Sequence, residues 1–181
     1  DRSTYKLLGG SIGFYGSTLN TRQYATKGYL EKLIAQVFTG RERFEPGNPQ
    51  EGYSPSPQER QSWLQISYMK EAYHTMGPKF TLGWMAEALY SSKNFSENYT
   101  ATMMQAGEFA PTPHSKLMYN EAFRANQYVA AGIKPIYVLN DMFQFRTEFY
   151  GFTPIFPIKK NALNKAYYGK AFSRFEYMGE V

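Results

Sequence analysis

Between Gly28 and Glu45 the chain carries its most constraining stretch. Tyr29, Leu33, Val37 and Phe38 stand among charges, with no proline until Pro46. β-branched and aromatic side chains in this setting predict a strand. A strand over 28–44 is far longer than the roughly 5–6 residues usual in soluble proteins. It exceeds the ~9–11 tilted residues that a strand needs to cross a bilayer. Before it, Tyr24-Ala-Thr-Lys-Gly28 has the small and polar residues of a reversal.

Alternation predicts further strands near 8–19, 62–75, 79–91, 127–139, 142–158 and 166–178. The cleanest lies at 79–91. There Phe80, Leu82, Trp84, Ala86, Ala88 and Tyr90 share one face, with aromatic residues at both ends. Over 142–158, Phe143, Phe145 and Phe149 oppose Gln144, Arg146 and Glu148. In the last strand Tyr167, Ala171, Phe175 and Tyr177 oppose Lys170, Arg174 and Glu176. Pro135, inside a predicted strand, implies a bulge or an edge. Glycines in the first strand permit coiling and close strand contact.

The connections alternate in length. Short turns are predicted at 24–28, 76–78 and Asn140-Asp141. Long loops are predicted at 45–61 and 92–126, and an intermediate one at 159–165. Within the second long loop Asn98 to Phe109 suits a short helix, which Pro111-Thr-Pro113 would end. That loop either enters an interior as a plug or caps the outside. Short turns at one end and long loops at the other are what an outer-membrane barrel requires. Charges of both signs lie on the polar faces at mid-strand, where a wet lumen would tolerate them. The fold class expected is therefore all-β, an antiparallel up-and-down transmembrane barrel forming one region over 1–181.

Composition agrees. The chain holds 16 Tyr and 14 Phe, a ring content of 18%. Tyrosine suits surfaces half in hydrocarbon and half in water. Barrel strands need no long apolar run, and none of about 18 residues is present. The net charge is +5, but the basic residues are scattered among acidic ones, which argues against nucleic acid. With no cysteine, disulfides and thiolate metal sites are excluded. Beginning at Asp1, without Met or a signal peptide, the sequence reads as a processed product or a fragment.

Four segments together resemble one family. They are Asn20-Thr-Arg-Gln-Tyr-Ala-Thr-Lys-Gly-Tyr29, Gln36-Val-Phe-Thr-Gly-Arg-Glu-Arg-Phe-Glu-Pro-Gly47, Pro111-Thr-Pro-His-Ser-Lys116 and Phe123-Arg-Ala-Asn-Gln-Tyr-Val-Ala-Ala-Gly-Ile-Lys-Pro-Ile136. The family is the C-terminal barrel of Bacteroidetes-type patatin-like phospholipases, related to the bacterial surface antigen (Omp85) superfamily. The resemblance covers about residues 8 to 179 and rests on order and spacing. It implies a parent with a periplasmic patatin hydrolase, a linking domain and this barrel in the bacterial outer membrane. It also implies a barrel with more strands than these seven, since single-chain bacterial barrels have an even number. The chain's own role would be anchoring or translocating the attached hydrolase, with the lipid bilayer and lipopolysaccharide as partners. The alternative is a soluble β-barrel or sandwich module that binds a lipid or sugar.

No residue is expected to be catalytic, and no cofactor or metal is expected. Gly9-Gly10-Ser11-Ile12-Gly13 matches the G-x-S-x-G nucleophile elbow. That elbow needs a helix after its serine, whereas Phe14-Tyr15-Gly16-Ser17 continues a strand. A patatin dyad would need an aspartate, and Asp141 sits in a turn. His74 and His114 lack partners at metal-ligand spacing. Asn94-Phe-Ser96 and Asn98-Tyr-Thr100 match a glycosylation pattern that is common by chance. Arg41-Glu42-Arg43 reads as a solvated strand end, with lipopolysaccharide phosphate contact as its alternative.

Overall fold

A computed structural model describes residues 2–45, 59–140 and 143–180. Antiparallel strands dominate. They are β1 (Arg2–Ser17), β2 (Gly28–Glu45), β3 (Glu59–Thr75) and β4 (Phe80–Ser91), then α1 (Tyr99–Gln105). After α1 come β5 (Gly107–Glu108), β6 (Arg124–Ala125), β7 (Gln127–Val138), β8 (Gln144–Arg146) and β9 (Glu148–Pro154). The chain ends with β10 (Ile158–Lys160), β11 (Ala166–Tyr168) and β12 (Glu176–Glu180). The main sheet runs β1-β2-β3-β4-β7-β9-β12, with β8 also on β7. β1 and β12 are its edges, and among the described residues no pairing joins them.

The long β2 dictates the length of its neighbours. Its outer half needs ladder partners, and Arg2–Leu7 and Glu59–Ser62 supply them. The first strand therefore begins six residues before the expected position 8, and the third begins at Glu59 rather than 62. The reversal between β1 and β2 is also wider than 24–28. It spans 18–27 and is organised by Asn20, whose Oδ1 accepts from Thr26 N (3.0 Å) and Lys27 N (3.2 Å). Gly28 closes it at φ +91°, where a Cβ would collide with the Thr18 carbonyl, so only glycine fits.

Pro135 makes neither an edge nor a bulge. β7 lies inside the sheet, and its register with β8 matches its register with β9, since Ile133↔Phe149 and Ile136↔Arg146 fall on one line. The Pro135 carbonyl accepts from Thr147 N at 3.1 Å, but proline has no N–H to return. One lost ladder bond is what separates β8 from β9. The strands expected over 142–158 and 166–178 are broken for similar reasons. Pro154 and Pro157 end β9, and the chain departs as a hairpin in which β10 pairs β11. Phe172, at φ 52°, then turns it back so that β12 can pair β9. Asp141 and the loop residues 46–58 lie outside the described residues. Leu139 N donates to Phe143 O at 3.0 Å.

Consecutive antiparallel strands place the connections 18–27, 76–79 and 139–143 at one end of the sheet. The connections 92–126 and 155–175 fall at the other, where β2 ends at Glu45 and β3 begins at Glu59. Short connections and long ones are thus sorted by end.

Candidate functional site

Strand alternation gives the sheet two unlike faces. On one, cross-strand register lines up Phe14, Leu33, Tyr68, Ala88 and Val129, with Ile12, Ala35, Ile66 and Tyr90 beside them. Further along, Trp84, Ile133 and Phe149 form another row, and Phe80, Tyr137 and Phe145 the next. No element packs on this face among the described residues. Ile12 is 78% exposed, Val37 59%, Ile133 52% and Phe149 53%. One ion pair interrupts the band, Glu31 with Lys70 at 3.9 Å, and Tyr68 OH donates to Glu31 Oε1 at 2.6 Å.

The other face combines buried ion pairs with a buried aromatic cluster from β3 to β9 and is open along β1, where Tyr15 is 66% exposed. Toward the short-turn end Lys134 Nζ meets Glu71 Oε1 at 2.9 Å, and Tyr73 OH also donates to that carboxylate. Arg146 Nη1 pairs with Glu148 Oε1 at 3.3 Å, and Tyr150 OH donates to Glu148. The pairs are stitched together by rings. Lys134 stands over Tyr150, and Arg146 over Tyr73 and Tyr24. Arg146 Nη2 donates to the Ala25 carbonyl at 2.6 Å, which holds the 18–27 loop as a floor. Buried charges persist when paired, and each of these has an opposite charge, though Arg146 Nε is left without a hydrogen-bond partner.

At mid-height the segment between β4 and β7 covers this face. Phe109 and Phe123 pack on Met85, Leu89, Tyr128, Tyr150 and Phe152. Phe109 makes ring contacts with Tyr128, Tyr150 and Phe152 at 5.9–6.2 Å between centroids. Tyr128 OH donates to Glu87 Oε1 at 2.5 Å. The expected short helix is α1. Asn98 caps its start by accepting from Ala101 N at 2.7 Å, so this residue of a glycosylation match serves the backbone. Arg124 tethers its end, donating to Met104 O at 3.1 Å and to Glu108 Oε2 at 2.6 Å.

Near the long-loop end Glu42 is buried on the inner face, which corrects the reading of 41–43 as uniformly solvated. It accepts from Tyr5 OH and Gln61 Nε2, each at 2.8 Å. Lys93 faces the same pocket, 4.7 Å from the centre of the Trp63 ring and 5.7 Å from that of Tyr5. Burial pushes the Lys93 ammonium down to about 8, against the opposing pull of Glu42. Sequence inspection passed over Lys93, because its loop has no period to say which way a side chain points.

Ser11 lies inside β1 opposite Gln36, so the G-x-S-x-G match is strand backbone. His74 stands exposed near the end of β3. His114 Nδ1 lies 2.7 Å from Glu180 Oε1, at the rim of a cavity of about 230 Å³ lined by Phe109, Phe123 and Met178. That is below the ~300 Å³ at which small-molecule pockets begin. Among the described residues no hydrogen bond joins His114 to a hydroxyl. Among the described residues no cluster of three or more potential metal ligands forms.

No protein-family model matches this chain, and comparisons with curated proteins and with solved structures gave no match.

Proposed function

We propose that this chain is a transmembrane β-barrel region of a bacterial outer membrane, and that its work is to anchor, or help to translocate, an attached domain. One observation carries the reading: the sheet is inside out. A soluble sheet covers its apolar face and wets its polar one. Here exposed apolar residues recur in register on one face, while the opposite face holds buried ion pairs near the 18–27 loop and an aromatic cluster under the 92–126 segment. A soluble monomer seldom exposes a contiguous apolar patch beyond about 300–600 Å². Hydrocarbon is the solvent that suits such a face, and strand pairing satisfies the backbone within it.

Closing the cylinder requires ladder partners for β1 and β12, since an open edge cannot face lipid. The identity of the attached domain rests on sequence alone. The segments 20–29, 36–47, 111–116 and 123–136 resemble patatin-like phospholipase barrels, which makes a periplasmic lipid acyl hydrolase the domain proposed. This chain supplies no catalytic group to it.

Flotation tests the membrane reading. The chain, refolded from urea with phosphatidylcholine vesicles, is expected to float with them after a carbonate wash and to resist protease. Purification without detergent as a compact monomer would instead favour the soluble lipid- or sugar-binding module.

A further inference from the structure

The uncovered face ends abruptly in positive charge. On β1, β2 and β3 the last weakly polar row is Leu8, Thr39 and Ser62. In the next row the register places Lys6 opposite Arg41, and Arg41 opposite Arg60. Three cations therefore stand side by side across three strands, at the end of the sheet that bears the long connections. Arg43, one row on, pairs with Glu45 at 3.0 Å. Lys6, Arg41 and Arg60 meet no carboxylate among the described residues, and all three are exposed. Beside the row a depression of about 320 Å³ is lined by Arg2, Lys6, Arg41 and Arg43 together with Glu42 and Glu45, and Arg60 stands outside it.

Like charges directly opposite on neighbouring strands destabilise a sheet. Among the described residues no carboxylate pairs with the row, so an external anion is a fitting counterpart. Adjacent strands are ~4.8 Å apart, so the row is ~10 Å wide. A single phosphodiester meets one or two of its cations. A headgroup with two phosphates on a disaccharide meets all three, and guanidinium is suited to gripping phosphate oxygens in pairs. We propose that this row binds the bisphosphorylated disaccharide headgroup of a lipid A-type glycolipid, whose acyl chains lie along the apolar rows below. The proposal rests on the membrane reading given above.

The experiment uses the folded chain in detergent micelles, with bisphosphoryl lipid A as the probe and native mass spectrometry or a fluorescent lipid A analogue as the readout. The triple variant Lys6→Gln/Arg41→Gln/Arg60→Gln is expected to bind at least tenfold more weakly than the unaltered chain. A control triple of equal charge change, Lys27→Gln/Lys116→Gln/Lys170→Gln, is expected to bind as the unaltered chain does. Without lipid A, the first triple is expected to melt at a higher temperature, because its like-charge row is gone. Unchanged lipid A affinity in that variant overturns the proposal. So does phosphatidylglycerol competing on equal terms, since any anionic headgroup would then serve. Insertion of both triples into neutral phosphatidylcholine vesicles tests the membrane reading separately, because no phosphate monoester is present there.

Discussion

Lys134 and Lys93 are two buried cations with different fates. Lys134 is matched by Glu71, and its side chain is only 6% exposed. Removing one member of such a pair leaves the other charged and unpaired, which costs about 3–5 kcal/mol. Lys134→Met alone is expected to destabilise by that amount in urea unfolding from micelles. Lys134→Met with Glu71→Gln is expected to recover most of the loss, because no buried charge is then stranded. Lys93 has burial as its dominant influence. Its ammonium releases its proton at about 8 when folded, against an ordinary value of 10.5. Between those values the unfolded chain holds a proton that the folded chain has shed, so this residue's contribution to stability rises with pH across the window. Below pH 8 its full cost is present. Unfolding measured at pH 7.5, 9 and 10.5 is expected to show a rise that Lys93→Met removes. Tyr99, raised by burial and then by Glu121, acts in the opposite sense above its ordinary value of 10. The difference between the two proteins isolates the lysine.

Along the strands of the bare face, depth sets the expected response to the same substitution. Ile66 lies in the middle of the bare band, and Thr39 lies one row from the cations. An arginine on the lipid side costs ~2–4 kcal/mol at the bilayer midplane and ~0–1 near the interface. Ile66→Arg is therefore expected to lower stability in vesicles by the larger amount, and Thr39→Arg by the smaller. Period-two alternation made these faces legible in advance, because it fixes a side chain's face without tertiary information. The rows at 79–91 and at Phe143, Phe145 and Phe149 needed nothing more. Where the ladder was interrupted the sequence misled. Pro135 looked like a bulge because proline breaks pairing in isolation, yet its fixed φ suits a strand and only one bond is missing. The 142–158 and 166–178 readings failed because alternation says which face, not which partner. Tyr167 keeps its alternation while pairing in a separate small sheet.

As a whole molecule, the protein is a sheet whose polar surface is furnished and whose apolar surface is bare. The strand order and the sorting of connections by end were legible, because neighbouring strands along the chain pair in space. The inner lining was not. Glu42 finds Gln61 19 positions away, Lys93 stands in a loop with no period, and Arg146, besides its near neighbour Glu148, reaches Ala25 121 positions away. The seating of Phe109 on Tyr128 and Phe152 is likewise a tertiary outcome. The account stands on which of the two faces meets hydrocarbon. Because the chain has no cysteine, single replacements can report on β4 one residue at a time. The decisive measurement is nitroxide accessibility in phosphatidylcholine vesicles for Leu82→Cys, Gly83→Cys, Trp84→Cys, Met85→Cys, Ala86→Cys, Glu87→Cys and Ala88→Cys. The even positions are expected to collide with dissolved oxygen and to be shielded from a water-soluble nickel chelate, and the odd positions to be shielded from oxygen. Even positions open to the nickel chelate, or no alternation at all, would contradict the account.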